Sequence, residues 1–334
     1  MKILGVCAGG GALLLPFRDQ VIIANVEPRV VFHYPGNPTW KFNFGDVPFL
    51  REGLDPSWEP DVIVGSPDCG ASSIMRLSKT KELGNPKDNK SINLVLSSIN
   101  LYKPKVFLIE NLPRLVSILN KDFWDKNFPD YVLTIHTVSV MDFGNSQKSR
   151  CRSIIVGVRK DQSEGLRRAF RRVFKVAQVK KVYELLHPYN EAENYNIPKK
   201  KKVAMYDYRE LPKKDNLTIR QICKLWRGDF QNEYKWPIKT AKMKSLPGVY
   251  RLKGDQYPLT VRPADRQFRP DGWPLGIEDI KAIMGFPADF KLFIDHNNYL
   301  ATLNKARYTL AKGSVCEVGL WFKDCLRGHL LKLK

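Results

Sequence analysis

The stretch Pro60-Asp61-Val62-Ile63-Val64-Gly65-Ser66-Pro67-Asp68-Cys69-Gly70-Ala71-Ser72-Ser73 decides how this chain is read. Val62 to Val64 is an apolar run that reads as a strand, and Gly65 and Pro67 break it. Cys69 falls just past the strand's carboxyl end. In open α/β sheets that edge is where ligands and chemistry gather. A thiol in a polar turn there is a candidate nucleophile. A cysteine near a strand end is more often structural, so the weight rests on what surrounds it.

Upstream, Lys2 to Cys7 reads as a buried strand running into Ala8-Gly9-Gly10-Gly11-Ala12-Leu13-Leu14-Leu15. A glycine-rich turn between a strand and a helix lets backbone approach a ligand and aims helix N–H groups at it. The next strand, Gln20 to Asn25, ends in Val26-Glu27, where nucleoside-binding α/β folds grip ribose hydroxyls. A packing turn with a solvated glutamate is the plain alternative. Phe42-Asn43-Phe44-Gly45-Asp46-Val47 is a further element ending in an acid, which could accept from an adenine amino group or close an Asx-turn.

Downstream of Cys69, residues 70–90 form a long polar stretch carrying Arg76, Lys79, Lys81, Lys87 and Lys90. Such loops in compact domains serve as lids or binding loops, and a basic one suits a phosphate backbone. Ile92, Val95, Leu96, Ile99 and Tyr102 repeat at helical spacing, which predicts an amphipathic helix over 89–102 with a core-facing stripe. Lys105 to Ile109 is the next strand, ending in Glu110-Asn111-Leu112-Pro113. Strands are also expected at Tyr131–Met141 and Ser153–Val158, flanking Gly144-Asn145-Ser146-Gln147-Lys148-Ser149-Arg150-Cys151-Arg152. Strands alternating with helices define an α/β sheet with crossovers.

At 334 residues the chain exceeds what one core usually supports, so a main domain with a smaller lobe is expected. No apolar run approaches membrane-span length, and no charged-then-apolar signal pattern opens the chain. Six scattered cysteines, without a C-x-x-C pair or adjacent histidines, indicate neither a disulfide framework nor a metal site. A reduced intracellular protein follows, cytoplasmic, or nuclear in a eukaryote. The net charge of +21 points to a polyanionic partner, nucleic acid rather than membrane, with generic basicity as the bland alternative.

Three segments are expected: 1–160 as the main domain, 161–255 as a basic lobe, and 256–334 as a segment returning to the main domain. The basic lobe interleaves aromatics with charge and contains Lys199-Lys200-Lys201-Lys202, read as a solvated or phosphate-facing loop before a nuclear address. A helix is expected at Gly276–Met284, and a last one from about Ser314.

Taken together, these motifs resemble those of DNA cytosine-C5 methyltransferases, in that family's order and over essentially the whole chain. Cys7-Ala8-Gly9-Gly10-Gly11 looks like the cofactor loop, with Cys7 where phenylalanine is usual and Ala12 where a last glycine is usual. Glu27 is similar to the ribose-binding acid and Gly45-Asp46-Val47 to the adenine-contacting motif. Gly65-Ser66-Pro67-Asp68-Cys69 resembles the nucleophile motif, Asp68 standing in for a second proline. Glu110-Asn111-Leu112 resembles the Glu-Asn-Val motif, and Arg150-Cys151-Arg152 the double-arginine motif, with Gln147 one position further away than usual. The 161–255 block falls where the family keeps its target-recognition domain. Lys312-Gly313-Ser314-Val315 replaces a segment usually reading Gly-Asn before a small residue and valine, next to the cofactor pocket.

The resemblance implies a Rossmann-like, mostly parallel sheet of the class I methyltransferase type, acting as a monomer on double-stranded DNA. S-Adenosylmethionine would be held by Cys7, Ala8, Gly9, Gly11, Glu27, Asp46, Pro67 and Ser314, with a cofactor variant bearing an added negative group as the alternative suggested by Lys312. Cys69 would attack cytosine C6, Glu110 would answer charge at N3, Asn111 would hold backbone geometry, Arg152 would meet the base oxygen, and Arg150 would support the loop. Ser72, Ser73, Arg76, Lys79, Gln147, Lys200 and Lys201 would contact DNA around a flipped-out base. Other readings are a catalytically impaired DNA-binding relative, motivated by Asp68 beside Cys69, an RNA cytosine methyltransferase, and a nicotinamide or flavin oxidoreductase resting only on the glycine loop.

Overall fold

The computed structural model describes residues 1–25, 32–33, 40–43, 59–69, 89–148, 150–173, 179–186, 249–253, 255–261, 266–269, 275–288, 290–292, 310–311 and 313–331. Its centre is a seven-stranded sheet built from β1 (Lys2–Val6), β2 (Val21–Asn25), β4 (Trp40–Asn43), β5 (Val62–Gly65), β6 (Val106–Asn111), β7 (Tyr131–Ser139) and β8 (Cys151–Arg159). The order across the sheet is β4-β2-β1-β5-β6-β8-β7. The first five are parallel, while β8 runs antiparallel to β6 and pairs antiparallel with β7. Two-residue β3 (Phe32–His33) pairs with β11 (Lys291–Leu292), and β9 (Val249–Arg251) with β10 (Arg266–Phe268), in two small separate sheets.

The strands read as near-continuous apolar runs because both faces of the sheet are covered. Alternate residues feed two cores. Ile3, Val62, Val64, Leu108, Ile154 and Val156 face one, and Leu4, Val6, Ile63, Phe107, Ile109 and Ile155 the other. Against the second face lie α1 (Lys90–Tyr102), α2 (Pro113–Ile118) and α3 (Lys121–Asn127). The stripe expected on α1 is present, with Ile92, Val95 and Ile99 buried. The helix lies so close to the sheet that a Cβ at Gly65 would come within 2.7 Å of Val95 Cγ1.

The other face is closed by α6 (Ile277–Ile283) and α7 (Cys316–Leu326), joined by α4 (Glu164–Ala169) and α5 (Val182–Leu185). The carboxyl-terminal helix therefore returns to the first strand's neighbourhood. A Cβ at Gly319 of α7 would meet the Leu13 carbonyl oxygen at 2.6 Å, and Phe322 packs edge-on against Phe17 with centroids 6.0 Å apart. Lys323 Nζ adds a hydrogen bond to the Pro16 carbonyl at 2.6 Å.

Three expectations need correcting. The glycine loop is followed by turns and a three-residue 3₁₀ helix, Leu15–Phe17, rather than by an α-helix. Nine residues separate Gly11 from Val21, and Pro16 occupies part of them, which leaves no room for several helical turns. The segment expected to open a lobe at 161 packs on the core of the sheet instead, with Leu166, Phe170 and Val182 buried under α7. Leu166 and Phe170 are four apart on one helical face, and Phe170 meets Phe322 at 5.5 Å. Strand β6 also continues through Glu110 and Asn111 instead of ending before them. Most of the rest of 161–255, including Lys200 and Lys201, lies outside the described residues.

Candidate active site

The chain leaves β1 toward β2 and β4, then crosses to β5 on β1's other side, so the strand order reverses between β1 and β5. Crevices at the carboxyl ends of strands flanking such a reversal are where α/β folds bind ligands. Here three chain segments meet at that edge. Cys7 to Gly11 follows β1, Ser66 to Cys69 follows β5, and Glu110 and Asn111 close β6. Because β8 is antiparallel, its start rather than its end lies there, with Ser153 opposite Asn111 and Ile154 opposite Glu110.

That pairing explains the position of Arg152. It is two residues from Ile154, so it shares the face of Ile154 and is the diagonal neighbour of Glu110. Arg152 Nε stands 2.7 Å from Glu110 Oε1, an ion pair between a guanidinium with little exposure and a buried carboxylate. Ser66 Oγ donates to the second carboxylate oxygen, Oε2, at 2.8 Å. Oε1 nevertheless has no aligned hydrogen-bond donor, so a buried acceptor lobe is left over. Asn111, 2 % exposed, donates from Nδ2 to the Pro67 carbonyl at 3.0 Å and accepts at Oδ1 from the Leu112 amide at 2.8 Å. The tip of β6 is thereby tied to the turn that carries Cys69, itself half-buried.

The two arginines of the double-arginine motif do different work. Arg150 is 1 % exposed and donates to the Val261 carbonyl at 3.1 Å and the Gly313 carbonyl at 2.6 Å. Gly313 in turn lies against the glycine loop, where a Cβ on Gly9 would be 3.9 Å from its Cα. Arg150 thus fixes the segment packed against the glycine loop, while Arg152 faces Glu110.

The loop itself turns tightly. The Gly11 amide donates to the Ala8 carbonyl at 2.8 Å, and Gly9 and Gly11 have φ of +55° and +73°, the region glycine enters without Cβ strain. Cys7 adopts φ +53° despite its side chain, and its Sγ reaches the Ser91 carbonyl at 3.8 Å. Beside this loop, Ser314 Oγ is buried without a hydrogen-bond partner. A buried hydroxyl left unsatisfied beside a glycine turn fits a bound polar group able to accept from it, such as the carboxylate of an amino-acid-like molecule.

Gln147 departs from expectation. It is fully buried, its Nε2 donating to Asn145 Oδ1 at 3.1 Å and its Oε1 accepting from the Val261 amide at 2.9 Å. Its carboxamide is consumed in holding the chain before β8 to the 261 segment, which removes it from a DNA surface. Glu27, Asp46, Ser72, Ser73, Arg76 and Lys79 lie outside the described residues, as does Lys312.

Sequence reasoning also passed over a second polar cluster. Asn145 Nδ2 donates to the Ile283 carbonyl at 3.0 Å and to both Glu317 carboxylate oxygens at 3.1 Å. Burial pushes the Glu317 carboxyl up to about 7, partly opposed by hydrogen bonds from its own backbone and from Asn145. Ser66, Asn89 and Ser91 were likewise unassigned. Only Asn89 had a legible signal, an amide residue three positions before Ile92, the first apolar residue of the helical stripe.

Among the described residues no cluster of three metal-ligating side chains occurs, and no helix is long and apolar enough to cross a membrane. Solved structures with the same fold include a protein described as a DNA modification methyltransferase encoded within an Escherichia coli prophage (TM-score 0.62, 15 % identity, 99 % of each chain covered). They also include Schizosaccharomyces pombe Dnmt2 methyltransferase (0.54, 11 %, covering 98 % of this chain and 97 % of that one) and the Entamoeba histolytica methyltransferase EhMeth (0.56, 14 %, 99 % of each). At these identities the likeness concerns the fold, which is the mostly parallel α/β sheet of class I methyltransferases. No curated protein sequence matches the chain. The family model for C-5 cytosine-specific DNA methylases matches residues 1–304, and with the sheet, the glycine loop and the 69–110–152 edge in place, the chain belongs to that family.

Proposed function

We propose that this protein methylates C5 of cytosine in double-stranded DNA, with Cys69 as covalent nucleophile and S-adenosylmethionine as methyl donor. The observation that carries the reading is the joining of the Cys69 turn to the end of β6. Asn111 holds Pro67, Ser66 holds Glu110, and Arg152 meets Glu110, all within hydrogen-bond or ion-pair distance.

Cytosine C5 takes no electrophile unaided. Attack of the Cys69 thiolate on C6 forms a C–S bond and pushes the ring electrons toward N3 and C5, which makes C5 an enamine carbon. Thiolate is the side-chain nucleophile best suited to reversible attack near neutral pH. As electrons reach N3, a proton taken up from solvent is delivered there through the Glu110 carboxyl and returns by the same route when the ring is restored, a service of a kind worth about 10²- to 10⁴-fold in rate. Its Oε1, buried and without an aligned donor, has capacity for the neighbouring exocyclic amine. Arg152 keeps the carboxyl in place and has N–H groups to spare for the base oxygen. When bound, S-adenosylmethionine supplies a methyl group on an electrophilic sulfonium, and Gly9, Gly11 and Ser314 would hold it. Once C5 carries the methyl group, water takes the C5 proton, the C5=C6 double bond re-forms, and the C6–S bond breaks to release the Cys69 thiolate.

A base inside a duplex cannot reach this edge, so it has to be flipped out at a cost of a few kcal/mol. The excess of 55 Lys and Arg over 34 Asp and Glu supports phosphate contacts that offset that cost. The reading is tested with labelled S-adenosylmethionine, duplex DNA and, in parallel, tRNA. Transfer to DNA that disappears in Cys69→Ala, together with a stable protein adduct on duplex containing 5-fluorocytosine, is the expected result. The fluorine cannot leave as a proton does, so the thioether persists. Transfer to tRNA alone would replace the substrate, and undiminished transfer by Cys69→Ala would remove the nucleophile.

A further inference from the structure

The turn that bears Cys69 is held from outside its own strand. Asp68 donates its backbone N–H to Ser91 Oγ at 2.9 Å, Ser91 Oγ donates to Asn89 Oδ1 at 2.7 Å, and Asn89 Nδ2 donates to the Asp68 carbonyl at 3.0 Å. The three bonds close a ring. The carbonyl at 68 belongs to the peptide plane from which the Cys69 Cα projects, so fixing that carbonyl fixes the direction of the thiol. The same Asn89 Oδ1 accepts from the Ser91 amide at 2.9 Å and the Ile92 amide at 3.3 Å, which makes it the amino-terminal cap of the thirteen-residue helix α1. One side chain thus does two separable things. Its oxygen caps the helix and its nitrogen grips the turn.

From this ring we infer that Asn89 and Ser91 are positioning residues for Cys69. They act by locking the 68–69 peptide onto the end of α1, and α1 is in turn locked to the sheet through Val95 against Gly65. The inference rests on the reading of Cys69 as nucleophile. An N–H at position 68 is what the ring requires, so a residue other than proline belongs there, and Asp68 supplies it. The Asp68 side chain is exposed and is not needed for the ring. Displacing a reacting group by about 1 Å can cost about a hundredfold in rate, so a device that holds a thiol in one place has measurable value.

The cap and the grip can be separated by substitution. Asn89→Ser keeps a neutral capping oxygen of similar strength but loses the Nδ2 donor. Ser91→Ala loses the hydroxyl that accepts from Asp68, and Ser91→Thr retains it. The expected result is a kcat for methyl transfer reduced about ten- to a hundredfold in Asn89→Ser and Ser91→Ala, with KM for duplex DNA and for S-adenosylmethionine within about twofold of the parent and Ser91→Thr near the parent rate. A second measurement stands apart from turnover: the rate of Cys69 alkylation by iodoacetamide, located by peptide mass spectrometry, followed against pH. Asn89→Ser and Ser91→Ala should move that profile, and Ser91→Thr should restore it. Parent-like kcat and a parent-like alkylation profile in both disrupting variants would overturn the inference even if Cys69→Ala abolishes transfer. Should Cys69→Ala still transfer methyl groups, the nucleophile reading fails instead, and the alkylation profile alone decides whether the ring orients the thiol.

Discussion

Two glutamates close to the two ends of this chain's polar machinery make an instructive pair. Glu110, at the tip of β6, has a guanidinium 2.7 Å from one oxygen and a serine hydroxyl 2.8 Å from the other. Glu317, in the first turn of α7, has the amide nitrogen of Asn145 at 3.1 Å from both oxygens, and among the described residues no guanidinium or ammonium pairs with it. A Cβ on Gly285 would come within 2.3 Å of its carboxylate. Burial without an opposing cation favours the neutral acid, which is why the Glu317 carboxyl rises to about 7. Glu317 thus braces α7 against the 283–285 segment, whereas Glu110 has a charged partner and an unsatisfied lobe with which to act on a ligand. Burial and a carboxyl alone do not mark a reactive site; partners separate the two.

The comparison is broken most severely at Glu110. Glu110→Gln keeps the shape but removes the acid, and it is expected to lower kcat by about 10²- to 10⁴-fold while duplex binding, followed by fluorescence anisotropy, stays near the parent value. Loss of binding in step with kcat would assign Glu110 to the scaffold instead. The paired arginines sharpen the same contrast. Arg150→Ala strands the carbonyls of Val261 and Gly313 in the interior and should lower stability by about 2–6 kcal/mol in denaturant unfolding, because each buried orphan costs about 1–3 kcal/mol. Arg152→Lys, which keeps a cation beside the buried Glu110 carboxylate but loses the planar guanidinium, should unfold near the parent midpoint yet turn over slowly. Equal destabilisation by both would erase the division of labour between them.

Glu317 gives a pH dependence with a definite sign. Its folded value, about 7, lies above the ordinary 4.5. The favourable contribution of the protonated form is therefore complete below about 4.5 and is lost as pH rises toward 7. The full span amounts to about 3 kcal/mol. Glu317→Gln, which cannot ionise, should flatten that slope, matching the parent near pH 5 and exceeding its stability near pH 8. A slope unchanged in the variant would place the titration elsewhere. The smallest effect is expected at Gln147. Gln147→Glu puts a carboxylate where an amide serves Asn145 and Val261, so it should destabilise by about 1–3 kcal/mol while leaving the salt dependence of DNA binding unchanged. A shallower or steeper salt dependence would return Gln147 to the DNA surface.

Much of the fold was legible because strands buried on both faces announce themselves as apolar runs. Val62 to Val64, Lys2 to Val6 and the run ending at Glu110 all appear as strands. The helix over 90–102 was equally legible, since its stripe has to match the sheet. The reactive edge was legible too, because motif residues follow strand ends in order. Arg150 and Arg152 were less so. They are two residues apart, but Arg152 points along the face of Glu110 and Arg150, in the loop before β8, reaches residues 261 and 313. Gln147 misled for the same reason, since a polar side chain beside basic neighbours reads as surface until its amide partners are known.

The sequence alone determined the alternation of strands and helices, the placing of Cys69, Glu110 and the glycine loop at strand ends, and the family, because these depend on local spacing and on residue type. Only the tertiary structure decided which polar groups are satisfied and by whom: Ser66 on Glu110, Asn89 and Ser91 on the turn before Cys69, Arg150 on Gly313 and Asn145 on Glu317. Those pairings join residues from 21 to 172 positions apart, and a hydrogen bond depends on distance in space, which no local pattern encodes.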